Sequence, residues 1–240
     1  MANFNTHLIV ASTVSGIGAV GLLGAGVAEP AEVMLYFSAG TLGGLLPDLD
    51  SDNSVVLKLL FGFFAVFFSF LAMFTQARQF AIAELLVLWL SCFLILYFGV
   101  FALFKRLTVH RGIFHSIPMG ILLGLSVTIL CHRLFHFDEL VAWLTGVFIL
   151  LGFLVHLILD EIYSVDLRNV KIKKSWGSAM KVADAKNVAG TIILYLGILA
   201  LFYFAPSMNT FVNAFFKGTA YTKFQQNLLP EGRWFSGYKK

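Results

Sequence analysis

Long apolar stretches separated by short polar punctuation organise the chain from end to end. A helix needs about 20 apolar residues to cross the roughly 30 Å of hydrocarbon in a bilayer. Seven stretches approach or reach that length: Leu8–Ala28, Glu32–Leu46, Val55–Thr75, Ile82–Phe104, His115–Phe135, Leu140–Leu159 and Val188–Ala205. The period-two alternation of a membrane barrel is missing, and backbone polar groups in lipid must be satisfied within their own segment, so each stretch is expected to be a helix. The second follows the turn signal Glu29-Pro30-Ala31; it is short and glycine-rich, and is expected to be tilted, broken or only partly inserted. The expected fold is all-α, a polytopic transmembrane bundle of about seven helices over residues 1–206, with a tail over 207–240 as a candidate interfacial segment.

The first stretch does not read as a signal peptide. "MANFNTH" holds no Lys or Arg, and the apolar run that follows exceeds the about 7–15 residues of a signal core. Its small residues recur at four-residue spacing, Ser12 with Gly16 and Gly21 with Ala25, which suits close helix contact in lipid.

Composition agrees with the pattern. The 240 residues are 59% hydrophobic and 12% charged, with 26 Phe, and the mean hydropathy is +0.85; a water-soluble domain is excluded. Cys92 and Cys131 both fall inside apolar runs, so no disulfide framework is expected.

Charge sets the orientation. With seven passes, the N-terminus and loops 47–54, 105–114 and 160–187 share one face, and they hold Lys105, Arg106, Arg111, Arg168, Lys171, Lys173, Lys174, Lys181 and Lys186. The opposite short loops offer Arg78 and Arg133. The positive-inside rule makes the first face cytoplasmic, in a bacterial inner membrane, although the tail's Lys217, Lys223, Arg233, Lys239 and Lys240 then lie outside. Because topology accounts for the basic pI of about 9.1, nucleic acid is not an expected partner; the bilayer is.

Against that background four segments stand out. His7 opens the first stretch, "PDLDSD" follows the second, "VHRGIFHS" precedes the fifth and "HLILDE" closes the sixth, all at the same face. His156 and Asp160 are four apart and project from one side of a helix. Pro47 ends a helix before Asp48 and Asp50, whose two-residue spacing aims both carboxylates one way in an extended segment. Gly112 permits a sharp turn between His110 and His115. Imidazole nitrogen together with carboxylate oxygen suits zinc or another first-row divalent ion. The candidate ligands are therefore His7, Asp48, Asp50, His110, His115, His156 and Asp160, enough donors for one to three ions. His132 and His136 share the four-residue spacing beside Cys131 but lie at the opposite face, and are set aside.

The early His, "PDLD", "HRGIFHS" and "HLILD", in that order between hydrophobic helices, resemble the YdjM-like, LexA-regulated, membrane-bound metal-dependent hydrolases, over about Thr6 to Glu161. That family looks distantly similar to zinc-dependent phospholipase C and P1-type nucleases, which implies phosphoester chemistry. Phe114 stands where the family motif has Thr before the second His.

The function expected is an integral membrane hydrolase with a zinc-type centre at the cytoplasmic interface, cleaving a phosphoester or ester of a lipid or lipid-linked substrate. An ion there would bring the pKa of a coordinated water to about 7. Arg111 would neutralise developing negative charge, and Asp160, Glu161 or Asp50 would accept the proton where not ligating. Lys173, Lys174 and Arg111 would draw anionic headgroups toward the centre. Nucleotide-binding loops, a Rossmann fingerprint, a serine elbow and a C-x-x-C motif are all missing. The alternatives are a metal-ion transporter or sensor, and a non-catalytic stress-response membrane protein with a structural ion. Transport would call for polar residues along a path near the bilayer midplane, where this chain offers mainly Ser, Thr and Gly. Oligomeric state is not legible.

Overall fold

The computed structural model describes residues 3–50, 55–100, 115–166, 171–172, 180–184 and 187–229. Contacts divide the chain into two compact units, Met1–Pro47 with His115–Lys240, and Asp48–Phe114.

The larger unit begins with α1 (Phe4–Gly24). Asn3 caps it, its side chain accepting from Thr6 N–H at 2.8 Å and from the Thr6 hydroxyl at 2.7 Å. The helix thus starts four residues before the apolar run, which places His7 inside it. Next comes α2 (Pro30–Gly43), with Pro30 in its first turn and a reciprocal box in which the Glu32 carboxylate accepts from Glu29 N–H at 2.9 Å. Beyond His115 follow α5 (Ile117–Arg133), α6 (Glu139–Ile162), a minimal antiparallel pair β1 (Val165–Asp166) and β2 (Lys171–Ile172), α7 (Val188–Phe204), α8 (Asn209–Val212, continued by a π turn to Lys217) and α9 (Ala220–Asn227).

Helix α6 is the most enclosed of the long apolar helices. It packs on α1, α2 and α5, and α7 packs on α5. Lipid supplies no hydrophobic drive between helices, so close approach and dispersion must hold them together. The backbones meet through glycine: a Cβ on Gly152 would strike the Gly40 carbonyl, and one on Gly146 would strike the Gly124 carbonyl. On α1, Ser12 faces Thr41 across a hydroxyl pair at 3.3 Å and Gly16 faces Phe37, whereas Gly21 faces Phe224 of α9. The expected small-residue stripe is therefore used, by two different partners. The core is built from Ala19, Ala28, Tyr36, Ala39, Leu144, Phe148 and Ile149.

The tail folds back onto the same unit. Trp143 Nε1–H reaches the carbonyls of Pro206 at 3.3 Å and Ser207 at 3.1 Å, and the Asn227 amide donates to Gly24 O at 2.7 Å.

The smaller unit holds α3 (Val55–Thr75), packed on α4 (Ile82–Leu94, extended by a π turn to Val100). Phe70 and Trp89 join them, with ring centroids 5.5 Å apart.

Among the described residues the chain is helical, and three helices are long and apolar enough to cross a membrane: Phe4–Gly24, Ile82–Gly99 and Glu139–Ile162. The pair Val188–Phe204 and Asn209–Phe216, bent by 85°, raises the number to four if it counts as one span. The seven spans expected from hydropathy are not reached, for specific reasons. At 1.5 Å per residue, the 14 residues of α2 extend about 21 Å. Helix α5 keeps 17 residues, because His115 and Ser116 are spent outside it. Of α3, the segment Phe61–Thr75 counts only among the shorter apolar helices.

Candidate metal centre

The stripe His7, Ala11, Ser15, Ala19 repeats every four residues and is the buried edge of α1. Its small members let α1 come close, and its first member carries an imidazole only 1% exposed. Helix α6 reaches Ile162, beyond the apolar run, so His156 (0% exposed) and Asp160 (3%) complete its last turns on one face. His115 (1%) lies just ahead of α5, before the extended cap residue Ser116, and Pro118 occupies the first helical turn.

These side chains meet around one carboxylate. Asp160 Oδ1 is 3.3 Å from His7 Nε2; Asp160 Oδ2 is 3.6 Å from His115 Nε2 and 3.8 Å from His156 Nε2. The rings of His7 and His156 stack, centroids 3.6 Å apart and planes 10° from parallel, and His115 meets His156 edge-on at 5.5 Å.

Atoms each about 2.0–2.2 Å from a tetrahedral zinc ion stand about 3.3–3.6 Å from one another. His7, His156 and Asp160 offer one ligand atom each, all within 4.8 Å of one another. The separations around Asp160 therefore fit a shared ion with shifts of a few tenths of an ångström. His7 strengthens the fit: neither of its ring nitrogens has a hydrogen-bond partner in alignment, although Nε2 lies 3.3 Å from the carboxylate. A buried imidazole so close to a buried carboxylate suits an ion shared between them.

The orientation of His156 comes from elsewhere. Its Nδ1–H donates to the Gly44 carbonyl at 2.7 Å, which leaves the Nε2 lone pair facing Asp160. Gly44 caps α2, and a Cβ there would collide with Ala11 Cβ of α1. A glycine is what lets that carbonyl approach. The sequence reading missed this group; the paired glycines of "LGGLLP" were the available signal.

Within the larger unit the structure brings together four of the expected ligands: His7, His115, His156 and Asp160. Asp48 and Asp50 sit on the 3₁₀ turn Leu46–Asp50 that follows α2, and both fall in the smaller unit. His110 and Arg111 lie outside the described residues. Glu161 is half-buried in the last turn of α6, and being next to Asp160 it projects about 100° away from it. At the other end of α5, His132 donates from Nδ1 to Phe137 O at 2.9 Å and His136 adopts a left-handed φ of 55°. That pair shapes the turn between α5 and α6.

Residues 1–205 match the family model described as YdjM inner membrane protein. No curated protein and no solved structure matches the chain. The chain belongs to the YdjM inner membrane protein family and is a membrane protein.

Proposed function

We propose that this member of the YdjM inner membrane protein family is a metal-dependent hydrolase, acting on a phosphoester or ester of a lipid or lipid-linked substrate. The observation that carries the reading is the convergence of His7, His115 and His156 on the buried Asp160 carboxylate. Burying so many titratable groups in an apolar bundle is costly unless they bind something.

In this reading His7, His156 and Asp160 hold a divalent ion, zinc by the chemistry of the donors, with His115 beside them. The sequence adds Asp48, Asp50 and His110 as further donors. Held there, such an ion would supply Lewis-acid chemistry, polarising an ester oxygen and lowering the pKa of water toward neutrality. Gly44 O keeps His156 in the ligating tautomer. Glu161, beside the ligand set rather than in it, accepts the proton released during attack, and Arg111 balances the charge that develops on an anionic substrate. With the N-terminus cytoplasmic, the orientation that the Lys/Arg asymmetry of the sequence favours, this chemistry stands at the inner face of the membrane.

The test is turnover by the purified protein against a panel of phospholipids, lipid phosphates and generic esters. Asp160→Asn should abolish it, and Arg111→Gln should keep metal and fold while losing anionic substrates. A zinc-containing wild type silent across the panel, with Asp160→Asn lowering only thermal stability, would replace the hydrolase with a structural ion.

A further inference from the structure

After β2 the chain returns to the metal centre. Lys181 pairs with Ser116 in a parallel bridge, its carbonyl accepting from Ile117 N–H at 3.1 Å. The same segment is fastened on its other side to α7: Tyr195 Oη–H donates to Val182 O at 3.0 Å, and Asp184 N–H donates to Thr191 Oγ1 at 3.1 Å. The segment is thus a strap tied at both edges. It lays Lys181 about 5 Å, one strand spacing, from the residue that follows His115. The Lys181 ammonium stands 3.5 Å from Asp184 Oδ2, both side chains about four-fifths sheltered.

Positive-inside topology accounts for a cation somewhere in this loop. It does not account for a cation held by backbone pairing against the chain that carries His115. We propose that Lys181 is the anion-recognition residue of the centre, binding a phosphate group presented to it. The proposal rests on the metal-centre reading and adds the charge class of the ligand. A lysine ammonium binds phosphate as a point charge and tolerates several approach angles. Asp184 holds that ammonium at 3.5 Å, and a more highly charged phosphate oxygen takes its place as the partner.

The same phosphate chemistry belongs to a free phosphate and to a lipid headgroup, so the experiment has two arms. In the first, inorganic phosphate is titrated calorimetrically into the full-length protein in phosphatidylcholine nanodiscs, with zinc content and melting recorded for every variant. Lys181→Gln should weaken binding about tenfold or more, Lys181→Arg should restore it, and zinc and melting should not change. In the second arm, phosphatidic acid is added to the discs. Competition with inorganic phosphate in wild type, lost in Lys181→Gln, assigns the site to a lipid headgroup; absence of competition assigns it to free phosphate. Equal phosphate affinity in wild type and Lys181→Gln, or no phosphate binding by wild type, overturns the proposal. Lysine-dependent binding by a protein that retains no zinc would uphold Lys181 and overturn the metal centre instead.

Discussion

His7 of α1 and His156 of α6 stack face to face, 3.6 Å between centroids, and both turn their Nε2 edges toward Asp160. Two helices almost 150 residues apart in sequence therefore present their nitrogens at one carboxylate. The stack fixes the spacing of donors that each helix alone would leave free.

The chain purified without chelator should retain a stoichiometric divalent ion, zinc foremost, by elemental analysis. His156→Ala should release it and lower the melting temperature, because a ligand and its Gly44 hydrogen bond are lost together. Substoichiometric metal in wild type would sink the centre.

Gly44→Ala changes no ligand yet should behave like a ligand mutation. Its methyl meets Ala11, forcing α1 and α2 apart and drawing the carbonyl away from His156. Zinc affinity, read by competition with a chelating dye, should drop about 10–100-fold, and stability should fall by about 1–3 kcal/mol. Wild-type affinity in this variant would mean that the carbonyl does not orient the ring.

Acid should strip the metal reversibly. Protons and the ion compete for the same imidazole lone pairs, so affinity falls as pH falls and recovers on return to neutrality. Dye-detected release that is independent of pH would point to ligands other than histidine.

Glu161→Gln separates proton transfer from ligation. It should keep metal and melting while lowering turnover of a panel substrate about 10²–10⁴-fold. Loss of metal instead would make Glu161 a ligand.

Orientation is testable on described positions with Cys92 and Cys131 replaced by Ser. Met180→Cys, beside the centre, should be shielded from an impermeant thiol reagent added outside intact cells, and Leu134→Cys, at the far turn, should react; both side chains are exposed. The opposite pattern would invert the topology.

Spacing made part of the site readable. His156 and Asp160 share a helical face by arithmetic, and His7 and His115 joined them because charge asymmetry put their segments on one side. What escaped were groups without distinctive side-chain chemistry. The Gly44 carbonyl belongs to a residue with no side chain at all, and Lys181 looked like one loop cation among many until backbone pairing set it against Ser116. Hydropathy counts apolar residues regardless of whether they continue a helix: α2 stops at Gly43, and α5 begins only after the extended Ser116.

Helix α1 is finished by partners that do not exist when it is made. His7 needs Asp160, and the Gly24 carbonyl at its other end is met by Asn227. At synthesis rates of about 5–20 residues per second, roughly 10–40 s separate the start of this helix from the arrival of α9. During that interval an imidazole and an open helix end wait in or near the bilayer without their native contacts. Assembly of the centre is therefore a late event in biogenesis, and a ribosome stalled before Asp160 leaves an inserted first helix with nothing for His7 to bind.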